Sequence, residues 1–198
     1  MRVMLKGNPV EIRWHGRGGQ GVITASRLLA EAALKEGLFF QSLPDYGAER
    51  SGAPVAAYSR ISKGPIYQRS NVELPDVVIV LDSTLIGRVG FLQGLRDGGF
   101  LIVNSPMSPA SLAEKLDGQG ATVCTVNATA ISMDLIGRNI PNVPMLGALL
   151  RGVPLVPPET AWATIVSRFR LRFSEVMGRA NLAAFDRGYK HVQVGGDE

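Results

Sequence analysis

The most constraining feature of this sequence is a change of periodicity across a cluster of glycines near its beginning. Val10–Trp14 is a short apolar-rich run of strand character, and it stops at His15-Gly16-Arg17-Gly18-Gly19-Gln20-Gly21. Beyond the glycines, Val22, Ala25, Leu28, Leu29, Ala32 and Ala33 fall on the i, i+3, i+4 spacing of one helical face, with Gly37 as the stop. A strand, a tight glycine loop and a helix that packs back on the strand form the opening unit of an α/β layer structure.

The rest of the chain is compatible with that unit. Leu38–Leu43 reads as a second strand, Pro44–Pro54 as a surface loop, and Val55–Ile61 as a strand that pairs with Ile66–Arg69 as a hairpin. Val77–Leu81 (VVIVL) is a continuous β-branched run, the mark of a strand buried on both faces, and it ends in the helix-capping sequence Asp82-Ser83-Thr84. The pattern then predicts a helix over Leu85–Leu95, a strand at Phe100–Val103, a short helix at Pro109–Leu116 and a strand at Thr122–Val126. Helices follow over 129–140, Val143–Leu150, Pro158–Gly178 and Asn181–Lys190, with Val192–Glu198 frayed. The expectation is a three-layer α/β/α fold with a mostly parallel, mixed sheet and a Rossmann-like glycine loop, in a single domain spanning residues 1–198 with its core at about 10–190.

Composition removes several classes of function. Of the 198 residues, 45% are apolar and 19% charged, as in soluble globular proteins. One cysteine, Cys124, allows neither an internal disulfide nor a four-cysteine iron–sulfur or zinc site, and His15 and His191 are the only histidines that could help it. The chain is therefore expected to hold no metal. A net charge of +4, with no block of like charges, gives no nucleic-acid stripe. No apolar run approaches the ~18 residues of a membrane span, and Met1–Lys6 lacks the apolar region of a signal peptide. These features predict a cytoplasmic protein.

Three segments carry candidate chemistry. Gly16, Gly18 and Gly21 satisfy G-x-G-x-x-G between strand and helix, where backbone N–H groups and the positive end of the helix suit a phosphate; Arg17, Gly19 and Gln20 complete the segment. The alternative is a tight turn without a ligand. A dinucleotide is disfavoured, because Asp45 lies beyond Pro44 instead of at a clean strand end. The second segment holds Tyr46, Glu49 and Arg50, which either meet a ligand or partner or are simply solvated. The third is Asn104-Ser105, a strand-end site or a turn into the next helix. His15 is either a site residue or structural. Trp162, Ile165, Val166, Phe169, Phe173 and Val176 form a stripe suited to core or subunit contact, Arg168, Arg170 and Arg172 lie on a solvated face, and Cys124 reads as inert packing.

The chain from about residue 10 to 190 resembles the gamma subunit, or gamma domain, of 2-oxoacid:ferredoxin oxidoreductases, and most of all the pyruvate-type members. The resemblance rests on Ile12–Gly21 (IRWHGRGGQG), Pro44–Pro54 (PDYGAERSGAP), Pro75–Asp82 (PDVVIVLD), Leu101–Ser105 (LIVNS), Pro144–Leu149 (PMLGAL), and Asn181–Phe185 (NLAAF) with Gly188-Tyr189, in that order. Ser51-Gly52-Ala53 departs from the Arg/Thr-Gly-Gly/Ala of many members.

The resemblance implies a subunit of an enzyme that cleaves a 2-oxoacid with coenzyme A to acyl-CoA, CO₂ and reduced ferredoxin. It also implies that thiamine diphosphate, Mg and [4Fe–4S] clusters sit on partner alpha, beta and delta subunits, with ferredoxin as acceptor. No Gly-Asp-Gly…Asn-Asn thiamine-diphosphate signature stands in this chain, in keeping with that division. The implied ligand of the glycine loop is coenzyme A, with no catalytic residue in this chain. The rival readings are a stand-alone NAD(P)-binding dehydrogenase and a purely structural subunit.

Overall fold

The computed structural model describes residues 9–45, 52–87, 90–116, 120–170 and 174–195. Its centre is a seven-stranded sheet made of β1 (Val10–Arg17), β2 (Phe39–Asp45), β3 (Pro54–Ser62), β4 (Val77–Val80), β5 (Phe100–Asn104), β6 (Thr122–Val126) and β7 (Gln193–Val194), in the order β2-β3-β1-β4-β5-β6-β7. β1, β4, β5 and β6 pair in parallel, whereas β3 is antiparallel to both β1 and β2, and β7 to β6. The mixed, mostly parallel sheet of the expectation is present.

The two faces are covered unequally. Along β1, Ile12 and Trp14 point to a face covered by α1 (Val22–Lys35), α3 (Ala128–Ile136), α4 (Asn142–Gly152), α5 (Pro158–Arg170) and α6 (Glu175–His191). Trp14 is fully buried there, and its indole N–H donates to Ser59 Oγ at 3.0 Å, so the large ring is buried without an orphaned donor. Arg13 and His15 point the other way. That face carries Val78, Val80, Leu101, Val103 and Val123, covered by α2 (Pro109–Lys115) and by an irregular strap, of which 86–87 and 90–99 are described and which packs Phe91 against them. All four β4 residues are buried because both faces are roofed.

α4 and α6 pack with their backbones in close approach. A Cβ on Gly147 would stand 2.3 Å from the Phe185 carbonyl oxygen, and one on Gly188 would stand 2.1 Å from that of Pro144. Glycine on each helix lets the backbones meet, and α4 buries nine of its eleven residues as a result.

Several local expectations are corrected. Ile66–Arg69 forms no strand, because β1 and β2 occupy both edges of β3. The true hairpin is β2–β3, in which Pro44 and Asp45 pair with Ala57 and Ala56, so the loop between them is shorter than 44–54. Instead of a helix over Leu85–Leu95 the described residues form one 3₁₀ turn, Ser83–Leu85; Gly87 at φ +78° and Gly94 at φ +75° turn the chain left-handed where a helix would continue. The helix from 129 ends at Ile136 because Gly137, at φ +74°, caps it. Pro158–Gly178 is two helices, with Ser174 capping the second. Arg168 is not merely solvated, since it pairs with Glu31 of α1. Gln193 and Val194 are not frayed: they extend the sheet against Thr125 and Cys124.

Candidate functional site

Parallel strands deliver their carboxyl ends to one edge of the sheet, and ligands of open α/β sheets gather at the point where successive connections leave in opposite directions. Here that point lies between β1 and β4. From β1 the chain leaves through α1 toward β2, and from β4 it continues through the strap to β5 on the other face. The glycine loop, 18–21, sits at the end of β1, and Asp82 follows the end of β4.

Three glycines of the Gly16–Gly21 segment have distinct physical reasons. A Cβ on Gly16 would stand 2.5 Å from Val22 Cγ2 and 3.2 Å from Leu81 Cβ, so this glycine permits α1 to close on the strands. Gly21 is the residue before α1, at φ +79°, and a Cβ there would stand 2.4 Å from Asn142 Nδ2 at the start of α4. Gly19, at φ +95°, is different: among the described residues nothing lies within 4 Å of its Cβ position, and its surface is open to them.

The donors of the loop divide in the same way. Arg17 N–H donates to Gln20 Oε1 at 2.8 Å, Gln20 N–H to Arg17 O at 3.1 Å, and Gly18 N–H to Ala53 O at 3.0 Å. These three are committed to holding the turn. α1 begins without any side-chain cap, and Ala25 N–H is the first to find an intrahelical acceptor, Gly21 O at 2.9 Å. Among the described residues the N–H groups of Val22, Ile23 and Thr24 in the first turn of α1 find no acceptor, the arrangement that favours an anion.

A carboxylate fixes the loop from below. Asp82 Oδ2 accepts from Gln20 Nε2 at 2.7 Å and lies 3.2 Å from Arg17 Nε, while its Oδ1 accepts from Thr84 N–H at 2.9 Å and from the Thr84 hydroxyl at 2.6 Å. Burial alone would raise the Asp82 pKa; the hydrogen bonds from Thr84 and Gln20, with the Arg17 charge, outweigh it and hold the carboxyl below its ordinary value. Arg17 also donates to Thr84 Oγ1 at 2.9 Å and to Gly52 O at 3.0 Å. Its charge thus serves first to tie three segments together, and the backbone donors are left as the freer groups for an anion.

Asn104 and Ser105 are brought to the same edge of the sheet, and both have partners. Asn104 Nδ2 donates to Leu81 O and to Thr129 Oγ1, each at 2.8 Å, and Oδ1 accepts from Thr129 N–H at 3.1 Å, so the side chain clamps β4, β5 and α3. Ser105 N–H donates to Val126 O at 3.0 Å and Oγ accepts from Met107 N–H at 3.1 Å. Ser105 lines a cleft of about 420 Å³ with Thr125, Asn127 and Arg187 among its walls. Tyr46, Glu49 and Arg50 lie outside the described residues, though Gly52 and Ala53, which follow them, touch Arg17 and Gly18.

Sequence reasoning missed Asp82 as a member of this site and Asn142 as the packing partner of Gly21. Asp82 had a signal, an acid directly after a buried parallel strand, and was read only as a helix cap; Asn142 had none. His15 is half-buried on the strap side, its ring in an edge-to-face pair with Phe91 with centroids 6.4 Å apart, and among the described residues Nε2 has no hydrogen-bond partner. Burial, reinforced by the Arg13 charge, lowers its pKa to about 4, so it is neutral at physiological pH. Arg13 holds the strap from beneath by donating to Phe91 O at 2.8 Å and to Gln93 O. Among the described residues no group of three His, Cys, Asp or Glu side chains is placed to hold a metal ion, and no helix is long and apolar enough to cross a membrane.

The chain is similar to known proteins over most of its length. The family model described as pyruvate ferredoxin/flavodoxin oxidoreductase matches residues 11–191. The chain belongs to that family. It is 45% identical to the pyruvate synthase subunit PorC of Thermotoga maritima over 92% of this chain and 94% of that one. A crystal structure of pyruvate oxidoreductase subunit PORC from the same organism superposes with a TM-score of 0.83 at 41% identity, covering 95% of this chain and 99% of the other. The common gamma subunit of the pyruvate/ketoisovalerate oxidoreductases of Thermococcus kodakarensis is 41% identical, over 93% and 98% of the two chains. The 2-oxoglutarate:ferredoxin oxidoreductase of Magnetococcus marinus, solved with 2-oxoglutarate, coenzyme A and succinyl-CoA, shares the fold at 21% identity and a TM-score of 0.74, covering 92% of this chain and 31% of that one. The family resemblance read from the six sequence segments is thereby borne out, and so is the α/β fold.

Proposed function

We propose that this chain is the gamma subunit of a pyruvate-type 2-oxoacid:ferredoxin oxidoreductase, and that its glycine loop binds phosphates of coenzyme A. The observation that carries the subunit reading is the span of the relationship, which covers nearly the whole of both this chain and the PorC and gamma relatives. Alpha, beta and delta subunits are its partners, with ferredoxin as the acceptor of the complex and the cytoplasm as its location. Thiamine diphosphate, Mg and [4Fe–4S] clusters belong to the partners, and they supply carbon–carbon cleavage and electron transfer. This chain's residues bind and orient. The N–H groups of the first turn of α1, which find no acceptor among the described residues, suit a phosphate; Asp82 and Gln20 hold the glycine loop in shape, and Arg17 ties it to Gly52 at the base of the segment bearing Tyr46, Glu49 and Arg50.

The test is steady-state kinetics of the complex reconstituted from its separate subunits, with pyruvate and a viologen acceptor. Gly19→Asp places a negative charge where nothing among the described residues lies within 4 Å, and is expected to raise the KM for coenzyme A about tenfold or more with little change in the KM for pyruvate. An unchanged coenzyme A KM would remove the loop from that site. The isolated chain is expected to oxidise no pyruvate; activity from it alone would overturn the division of labour. Tight binding of NADH in place of coenzyme A would favour the dehydrogenase reading.

A further inference from the structure

α5 and α6 leave a groove of about 440 Å³, lined by Pro158, Glu159, Trp162, Phe185, Asp186 and Tyr189. None of these residues belongs to the glycine-loop cluster. The lining is aromatic: Phe185 is fully buried and stacks on Tyr189 with ring centroids 6.3 Å apart, while Trp162 stays 43% exposed. An indole half in water on a helix whose neighbouring Ile165 is wholly buried is a side chain without its natural cover.

Two exposed carboxylates, Glu159 and Asp186, flank these rings. Among the described residues neither has an ion-pair partner within 4 Å, and the nearby arginines are engaged elsewhere, Arg168 with Glu31 and Arg187 with Asp134. The chain as a whole carries +4, so this acidic aromatic groove runs against its overall charge. Aromatic faces beside carboxylates make a receptor for a cation, and the planar guanidinium satisfies both parts, stacking on the rings while donating to the acids.

We propose that this groove is a docking site for a basic side chain, an arginine by preference, presented by another subunit of the oxidoreductase. The proposal rests on the subunit reading given above. Trp162 and the incoming arginine form the anchor, and Glu159 and Asp186 select for charge.

The chain has two tryptophans, one fully buried (Trp14) and one in the groove (Trp162), which makes ¹⁹F NMR of the 5-fluorotryptophan-labelled full chain a direct probe. On addition of the partner subunits, the Trp162 resonance is expected to shift while that of Trp14 stays in place. Trp162→Ala, and separately the double variant Glu159→Gln with Asp186→Asn, are expected to weaken assembly about tenfold, and the double variant also to reduce its salt dependence. The retained Trp14 resonance reports that each variant is folded. A Trp162 resonance unmoved in a complex that has assembled, or assembly unaffected by these variants, would overturn the groove. Failure of the unaltered chain to assemble would instead overturn the subunit reading on which the groove depends.

Discussion

Glycines serve opposite purposes at the α4–α6 crossing and in the loop after β1. At the crossing, the Cβ positions of Gly147 and Gly188 fall 2.3 and 2.1 Å from backbone oxygens of the facing helix, so the residue is there to remove matter. At Gly19 the corresponding position meets nothing within 4 Å among the described residues, and there glycine is needed for its φ of +95°. Gly21 combines the two, with φ +79° and Asn142 against it. Similar letters in a motif thus record packing in one place and an open backbone in another, and only the second is suited to a ligand.

Substitutions should separate these roles. Gly188→Val forces α4 and α6 apart and is expected to destabilise by about 3 kcal/mol or more, seen as a large loss of Tm in thermal unfolding; a variant of native stability would mean that the helices do not meet as closely as described. Gly21→Ala strains a left-handed residue and presses on Asn142, for about 2 kcal/mol. Asp82→Asn removes the charge that Arg17, Gln20 and Thr84 surround, at about 1–2 kcal/mol. Because the folded Asp82 pKa is lowered, its stabilisation is present above the ordinary carboxylate pKa and is lost as pH falls through the lowered value. The Asn variant should therefore narrow its stability gap from the parent in acid, and a gap independent of pH would contradict the cause assigned. Gly19→Ala should cost about 1 kcal/mol of backbone strain and disturb no packing; a loss as large as that of Gly21→Ala would erase the contrast.

His15 gives the smallest effect at neutral pH. Its folded pKa of about 4 lies below the ordinary histidine value of 6.5, so the stability of a neutral, half-buried His15 is complete above the higher value and declines as pH falls from there toward 4. His15→Leu abolishes that titration and is expected to gain stability relative to the parent at pH 5 compared with pH 7.5, measured by urea unfolding. Equal differences at the two pH values would show that the ring is not held neutral by its surroundings.

Strands and helices whose signal is local were legible from the sequence. β4 follows from five consecutive buried-type residues, and α1 from its apolar spacing and glycine boundaries. The loop at Gly16–Gly21 was legible for the same reason, since the constraint on φ acts residue by residue. Ile66–Arg69 was misread because strand character is no guarantee of a free edge, and β3 had both edges filled. Leu85–Leu95 was misread because apolar spacing hid Gly87 and Gly94, both left-handed, and the strap is held by contacts from distant Arg13.

What the sequence determined by itself was the alternation of strands and helices, the glycine loop between β1 and α1, the lack of cysteines for a cluster, and the ordered segments that mark the family. Those are properties of adjacent residues or of counts. The tertiary structure alone decided which loop donors stay free, that Asp82 holds Gln20 and Arg17 from 62 and 65 residues away in the chain, and that Trp162 opens into an acidic groove with Asp186. A hydrogen bond or a shared cavity depends on distances across the sheet and between helices, and those distances are fixed only when the whole core has packed.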